Sequence, residues 1–290
     1  MNSESKALLD FINQIRLNKT PVYQNLIGSK FGTIIQDAYK REDVSSIVDA
    51  LKDLCSPMNV NMSSRAWASS GIYSFWNYES RELLYIGLAV DFSERFKQHN
   101  GIIPTLPSSS KFEYITEYFE SNEKLGFSIL TMPSLYQPII RKNFKKIYSG
   151  EQVELSDFSD EQFKRDVKIV EGILIQSYKN KFNQLPPWNN IAGYKKGAAR
   201  CTAGNYKIVE AFTTNNWNHS LLSKCTLREL IDNYHLYYEE TLTIVRSHML
   251  TYGTSFVDAM EEILKISNEL EYTFNSIVKE KYMDKIPKFT

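Results

Sequence analysis

This 290-residue chain has no net charge: 34 lysines and arginines balance 34 aspartates and glutamates. That excludes a uniformly basic coat for nucleic acid, though not a local basic face. Cysteine is scarce as well. Cys55, Cys201 and Cys225 are odd in number and widely spaced. They make no disulfide framework, and a reducing cytoplasm suits them. None has C-x-x-C spacing, and the set Cys201, His219, Cys225, His235 is too irregular to favour zinc over ordinary side chains. Long apolar runs are missing too. The longest, Leu83 to Val90, includes Gly87 and falls far short of the roughly 20 residues of a membrane span. The start, MNSESKALLDFINQ, does not read as a signal peptide. A soluble protein with no membrane partner is the expectation.

What is present is globular. The chain is 42% hydrophobic and 13% aromatic, too rich for disorder, and its length suits one or two domains. Residues 1–66 read as a helical N-terminal extension. Leu8, Leu9, Phe11, Ile12 and Ile15 recur at helical spacing, as do Val44, Ile47, Val48, Leu51 and Leu54. A turn-rich piece with Gly28 and Gly32 lies between them, and SPMNVNMSS at 56–64 marks a boundary.

The period then shortens. GIYSFW (71–76) and LLYIG (83–87), separated by a polar stretch, predict a β-hairpin. Asp91 and Glu94 form a capping box for a following helix, with Phe92 and Phe96 inward and Arg95 and His99 on a neighbouring face. Residues 111–121 suit a helix, and FSIL (127–130) a third strand. A helix over about 160–181, capped by Ser159 and Gln162, carries the stripe Phe163, Val167, Val170 and Leu174. Residues 185–204 have loop chemistry. In the C-terminal third, Thr226 and Glu229 cap a helix that runs to about Leu250, and Gly253 breaks it. A second helix repeats Phe256, Met260, Ile263, Ser267, Leu270, Phe274 and Ile277 at alternating spacings of four and three. That seam suits packing on its own domain, or a dimerisation or DNA-spanning arm.

Gly71-Ile72-Tyr73 and Tyr85-Ile86-Gly87, with eleven residues between them, resemble the GIY-YIG nuclease superfamily. The context agrees. Arg95 lies eight positions after Gly87, His99 one turn later, and FSIL stands where the family has its third strand. Glu171 in VEGILIQ and Pro187-Trp188-Asn189 match the family's downstream glutamate and Pro-aromatic-Asn turn. The resemblance spans residues 68–192. It implies an α+β fold: a small, mainly antiparallel three-stranded sheet flanked by helices, with helical N- and C-terminal extensions. The organisation is then an extension over 1–66, a nuclease domain over 67–195 with an insertion at about 133–159, and a basic loop with a helical region over 196–290.

It also implies a metal-dependent endonuclease that hydrolyses DNA phosphodiesters. Glu171 sits among Val167, Leu174 and Ile175, where a carboxylate must be paired, protonated or bound to a metal. One carboxylate plus water and phosphate oxygens suits Mg²⁺ (or Mn²⁺). By resemblance, Tyr73 lies near the nucleophilic water as base or relay, and Tyr85 positions water or phosphate. Arg95 binds phosphate through its planar fork, His99 shares base work or contacts phosphate, and Asn189 braces the site, with Asn190 competing for that position. Many family members carry a lysine or other polar group directly after the second triplet. Here that position is Leu88, and the loop PTLPSSS lacks the histidine that some members place there. The base stays open.

Basic residues cluster in two places that could track DNA: Arg141, Lys142, Lys145 and Lys146 in the insertion, and Lys195, Lys196 and Arg200 in the loop. Residues 179–207 hold six basic residues and no acidic one. A restriction-type or homing-type enzyme is the leading expectation, and a two-fold homodimer would suit double-strand cleavage at a palindrome. A structure-specific repair nuclease and a catalytically weak nucleic-acid-binding module are the alternatives.

Overall fold

The aromatic runs after residue 70 form the centre of the sheet. In the computed structural model, which describes residues 6, 10, 31–55, 70–106, 109–132, 160–232 and 235–290, strand β2 (Gly71–Asn77) pairs antiparallel with β3 (Leu83–Ala89). Asn77 closes the hairpin: its side-chain oxygen accepts from the Glu79 and Ser80 amides, and Arg81 takes a positive φ of 61°. The third expected strand is β4 (Leu125–Thr131), antiparallel to the other side of β2.

The sheet has four strands, not three. The extra strand, β1 (Ile34–Tyr39), pairs antiparallel with β4, giving the order β1-β4-β2-β3. It lies inside the segment read as a helical extension. All six of its residues are buried, so it shows no alternation of polar and apolar positions, the usual mark of a strand. Its partners are remote in sequence: β4 on one side and, on the other, Leu221 and Ser223, which exchange backbone hydrogen bonds with Ile34. Its polar residues draw their partners from the C-terminal third. Gln36 Nε2 donates to the Ala211 and Thr214 carbonyls, and Asp37 receives the Arg228 guanidinium at 2.8 Å.

The helices follow the sequence pattern closely. They are α1 (Val44–Cys55), α2 (Phe92–His99), α3 (Phe112–Ser121) and α4 (Asp160–Phe182). Asp91 caps α2 by accepting from the Glu94 amide at 2.9 Å. A short turn, α5 (Lys195–Ala198), and α6 (Tyr206–Ala211) follow. The capping pair Thr226 and Glu229 forms as read, with Glu229 accepting from the Thr226 amide and Thr226 from the Glu229 amide.

The long C-terminal helices are each divided. One becomes α7 (Leu227–Asp232) and α8 (Leu236–Tyr252), the latter ending at Gly253. The heptad-like seam becomes α9 (Phe256–Ile266) and α10 (Asn268–Lys279), because Ser267 takes extended backbone between them. Phe256, Met260, Ile263, Phe274 and Ile277 are nonetheless all buried within the chain's own core. A buried pair anchors this region to β1: Arg246 binds Glu239 at 2.7 Å and donates to the Thr33 hydroxyl.

No helix among the described residues is long and apolar enough to cross a membrane. The N-terminal periodicity at 8–15, the boundary at 56–64, Ser159 and the insertion with Arg141, Lys142, Lys145 and Lys146 lie outside the described residues.

Candidate active site

The strand register explains why glycine and tyrosine alternate in the two triplets. Tyr73 on β2 stands opposite Gly87 on β3, and Tyr85 opposite Phe75. A methyl group at Gly87 would come within 2.7 Å of the Tyr73 hydroxyl and 2.6 Å of the Tyr85 ring. The missing side chain is therefore what lets both phenols converge over β3. Their ring centroids are 5.7 Å apart.

Helix α2 closes the group from above. His99 is fully buried, and its Nε2 lies 2.6 Å from the Tyr73 hydroxyl. Its other ring nitrogen, Nδ1, accepts the Lys111 backbone N–H at 2.9 Å. That bond fixes the tautomer: a neutral imidazole whose Nδ1 accepts must carry its proton on Nε2 and donate it to Tyr73. Burial, with Arg95 and Lys111 nearby, pushes the His99 pKa down to about 3, so the ring is neutral at physiological pH. Arg95 Nε also donates to the Tyr73 oxygen, at 3.3 Å, and Arg95 Nη1 donates to Gln98 Oε1 at 2.9 Å. The Tyr73 oxygen thus receives two donors, and its own proton faces the Tyr85 hydroxyl. Burial holds its pKa well above the ordinary phenol value, and the Arg95 charge opposes this only in part.

Glu171 projects from the middle of α4, flanked by the buried Val167, Leu174 and Ile175 as the sequence suggests. Burial raises its pKa to about 7, against the attraction of Arg95 and Lys168 and a hydrogen bond from the Leu88 amide. Leu88 therefore serves the site through its backbone. Glu171, Tyr85, Arg95, Gln98 and the first turn of α2 line a cavity of about 290 Å³.

Asn189 does not face this cavity chemistry. It accepts from the Ile86 amide at 3.0 Å and donates to the Ile86 carbonyl at 2.8 Å, imitating one more strand residue along the free edge of β3. The Trp188 amide continues the pattern onto the Leu84 carbonyl. Asn189 is a brace. Asn190 points elsewhere, accepting from the Tyr114 hydroxyl.

The basic loop packs beside Glu171. A methyl group at Gly172 would collide with the Tyr194 carbonyl, and one at Gly197 with the Ile169 carbonyl. Two glycines thus let α5 lie directly on α4, leaving Lys195, Lys196 and Arg200 exposed at its surface.

Sequence reasoning missed one residue. Lys111 is only 7% exposed, and its ammonium lies 5.1 Å from the ring centroids of both Tyr85 and Tyr114. The only signal was its position, at the end of the PTLPSSS loop, where the family resemblance placed a polar helper.

Among the described residues no three His, Cys, Asp or Glu side chains cluster to hold a metal by themselves. A single carboxylate open to a cavity fits the other arrangement, in which water and a substrate phosphate complete the coordination of a hard cation. No family model matches the chain, and no curated protein or solved structure matches it.

Proposed function

We propose that this protein is a divalent-metal-dependent endonuclease of the GIY-YIG type that cleaves DNA phosphodiesters, with a site-specific, restriction-type or homing-type role in the cytoplasm. One observation carries the proposal. Tyr85, Arg95 and Glu171, a carboxylate of raised pKa, line a single cavity, and the buried pair Tyr73 and neutral His99 backs its wall through a hydrogen bond from Arg95 to Tyr73. Such a convergence of perturbed groups in a cleft is characteristic of a working site.

The residues suit the chemistry. Arg95 is positioned to take the non-bridging oxygens of a phosphate and to balance the charge that develops on it. His99 and Arg95 hold the Tyr73 hydroxyl by its oxygen, and its proton faces the Tyr85 hydroxyl, so Tyr73 would act on a water or phosphate in the cavity through Tyr85. A phenol of raised pKa is a weak base in the free protein, and it gains that role only as cationic charge enters the site. Tyr85 supplies a second hydroxyl at the cavity wall. Glu171 would hold Mg²⁺ or Mn²⁺, which when bound acts as a Lewis acid toward the phosphate and its leaving oxygen. Lys195, Lys196 and Arg200 extend a cationic surface from Glu171 along the DNA backbone, and Arg141, Lys142, Lys145 and Lys146 add to it in sequence.

Supercoiled plasmid tests this. Purified protein with Mg²⁺ or Mn²⁺ should nick or linearise it. EDTA or Glu171→Ala should abolish cleavage, and Tyr73→Phe or Arg95→Ala should reduce it at least about a hundredfold. Discrete fragments support a site-specific enzyme, and a homodimer in solution would suit paired cuts. Cutting confined to branched substrates would point to a repair nuclease. Salt-sensitive DNA binding with no cutting of any substrate would reduce the protein to a binding module.

A further inference from the structure

A second cavity adjoins the first. It has a volume of about 480 Å³ and lies between the end of α2 and the start of α3. Gln98 lines both cavities, so the two meet at that side chain. Lys111, the half-exposed Phe112, Tyr114 and Asn190, which accepts from the Tyr114 hydroxyl, line the second.

Lys111 is an unusual occupant. Its stem is buried and its ammonium sits against two aromatic faces, a favourable place for a cation. Among the described residues it has no carboxylate partner, and Arg95 adds repulsion. Glu113 lines the same cavity without pairing with it. A lysine whose charge is confined by the fold and left unneutralised at a cavity wall is suited to an anion from outside. Its distance from Glu171 is bridged by Arg95 and Gln98, which are themselves hydrogen-bonded.

We infer that this second cavity takes the nucleotide next to the scissile phosphate, with the Lys111 ammonium binding that nucleotide's backbone phosphate and Phe112 and Tyr114 flanking its base. This rests on the nuclease proposal. Its chemistry is distinct from Arg95, which serves the reacting phosphate. Lys111 contributes to holding the strand. Replacing its side chain leaves the backbone N–H that fixes His99 in place.

The test uses the full chain and a labelled duplex taken from a plasmid site that the wild-type protein cuts, with binding measured in EDTA across a salt series. Lys111→Met should weaken binding about tenfold at moderate salt and lower the slope of log affinity against log salt by about 0.9, one phosphate contact. Lys111→Arg should keep both, and Lys111→Gln is the second neutral variant if Met impairs folding. An unchanged slope in the neutral variants, with wild-type cleavage still lost in Glu171→Ala, overturns this inference and leaves the nuclease standing. A wild-type protein that cuts no DNA overturns the nuclease proposal and this inference with it.

Discussion

His99 Nε2 and the Tyr73 hydroxyl lie 2.6 Å apart, and the proton between them belongs to the histidine. The Lys111 amide occupies Nδ1, so His99 acts on Tyr73 as a donor and holds it by its oxygen. Nitrogen-15 spectra should show the His99 ring as the neutral Nε2–H tautomer, with no titration from pH 8 down to about 4. A ring that protonates near its ordinary value would contradict this assignment. The stability consequence has a definite sign. Below about 6.5 the unfolded chain takes up a proton that the folded ring refuses until about 3. The His99 contribution is therefore full above pH 6.5 and falls as pH drops through that window.

Glu171 has the opposite linkage. Its folded pKa of about 7 exceeds the ordinary 4.5, so without metal the folded state holds a proton that the unfolded state has released. Its cost appears as pH rises from about 4.5 to 7 and is complete above that. In EDTA at pH 8, Glu171→Gln should melt a few degrees higher than wild type, and about equally at pH 4. Calorimetry checks both. With metal, binding should strengthen as pH rises through about 7, since the carboxylate must be ionised to coordinate.

Gly172→Ala should separate α5 from α4. The added methyl group meets the Tyr194 carbonyl and has no side-chain end to push aside. Overpacking of this kind costs about 1–3 kcal/mol. Urea denaturation should show the loss, and DNA affinity should fall with it, because Lys195 and Lys196 ride on the displaced turn and the Arg200 amide is bonded to its Gly197 carbonyl.

Asn189→Asp tests the brace. The substitution keeps the acceptor for the Ile86 amide but sets a carboxylate oxygen against the Ile86 carbonyl. It should destabilise at least as much as Asn189→Ala, by about 1–3 kcal/mol. Cleavage should fall in step with stability, without a shifted pH profile. A large loss of activity at unchanged stability would instead give Asn189 a direct chemical role.

Much of the site was legible locally. The hairpin of Gly71–Tyr73 and Tyr85–Gly87, the Asp91–Glu94 cap and the spacing from Arg95 to His99 are set within a turn or a register step, and short-range periodicity reports them. Glu171 announced itself as a carboxylate inside an apolar stripe. Strand β1 did not, because a strand buried on both faces shows no alternation, here even with Gln36 and Asp37 at its centre, and its partners lie some 90 or 190 residues away. Ser267 likewise gave no signal that it would divide a regular seam, since its extended backbone is a matter of how α9 and α10 pack.

The sequence alone determined which side chains could do chemistry and on which elements they ride, because capping, turn and strand preferences are local. Their partners and protonation states came from tertiary packing. The direction of the His99 hydrogen bond depends on an amide from the next helix, the conversion of Asn189 into a strand edge depends on β3, and the approach of Lys111 to Tyr85 depends on how α3 seats against the sheet. Burial and neighbouring charge set a proton's position, and both come from residues that are distant in sequence and adjacent in space.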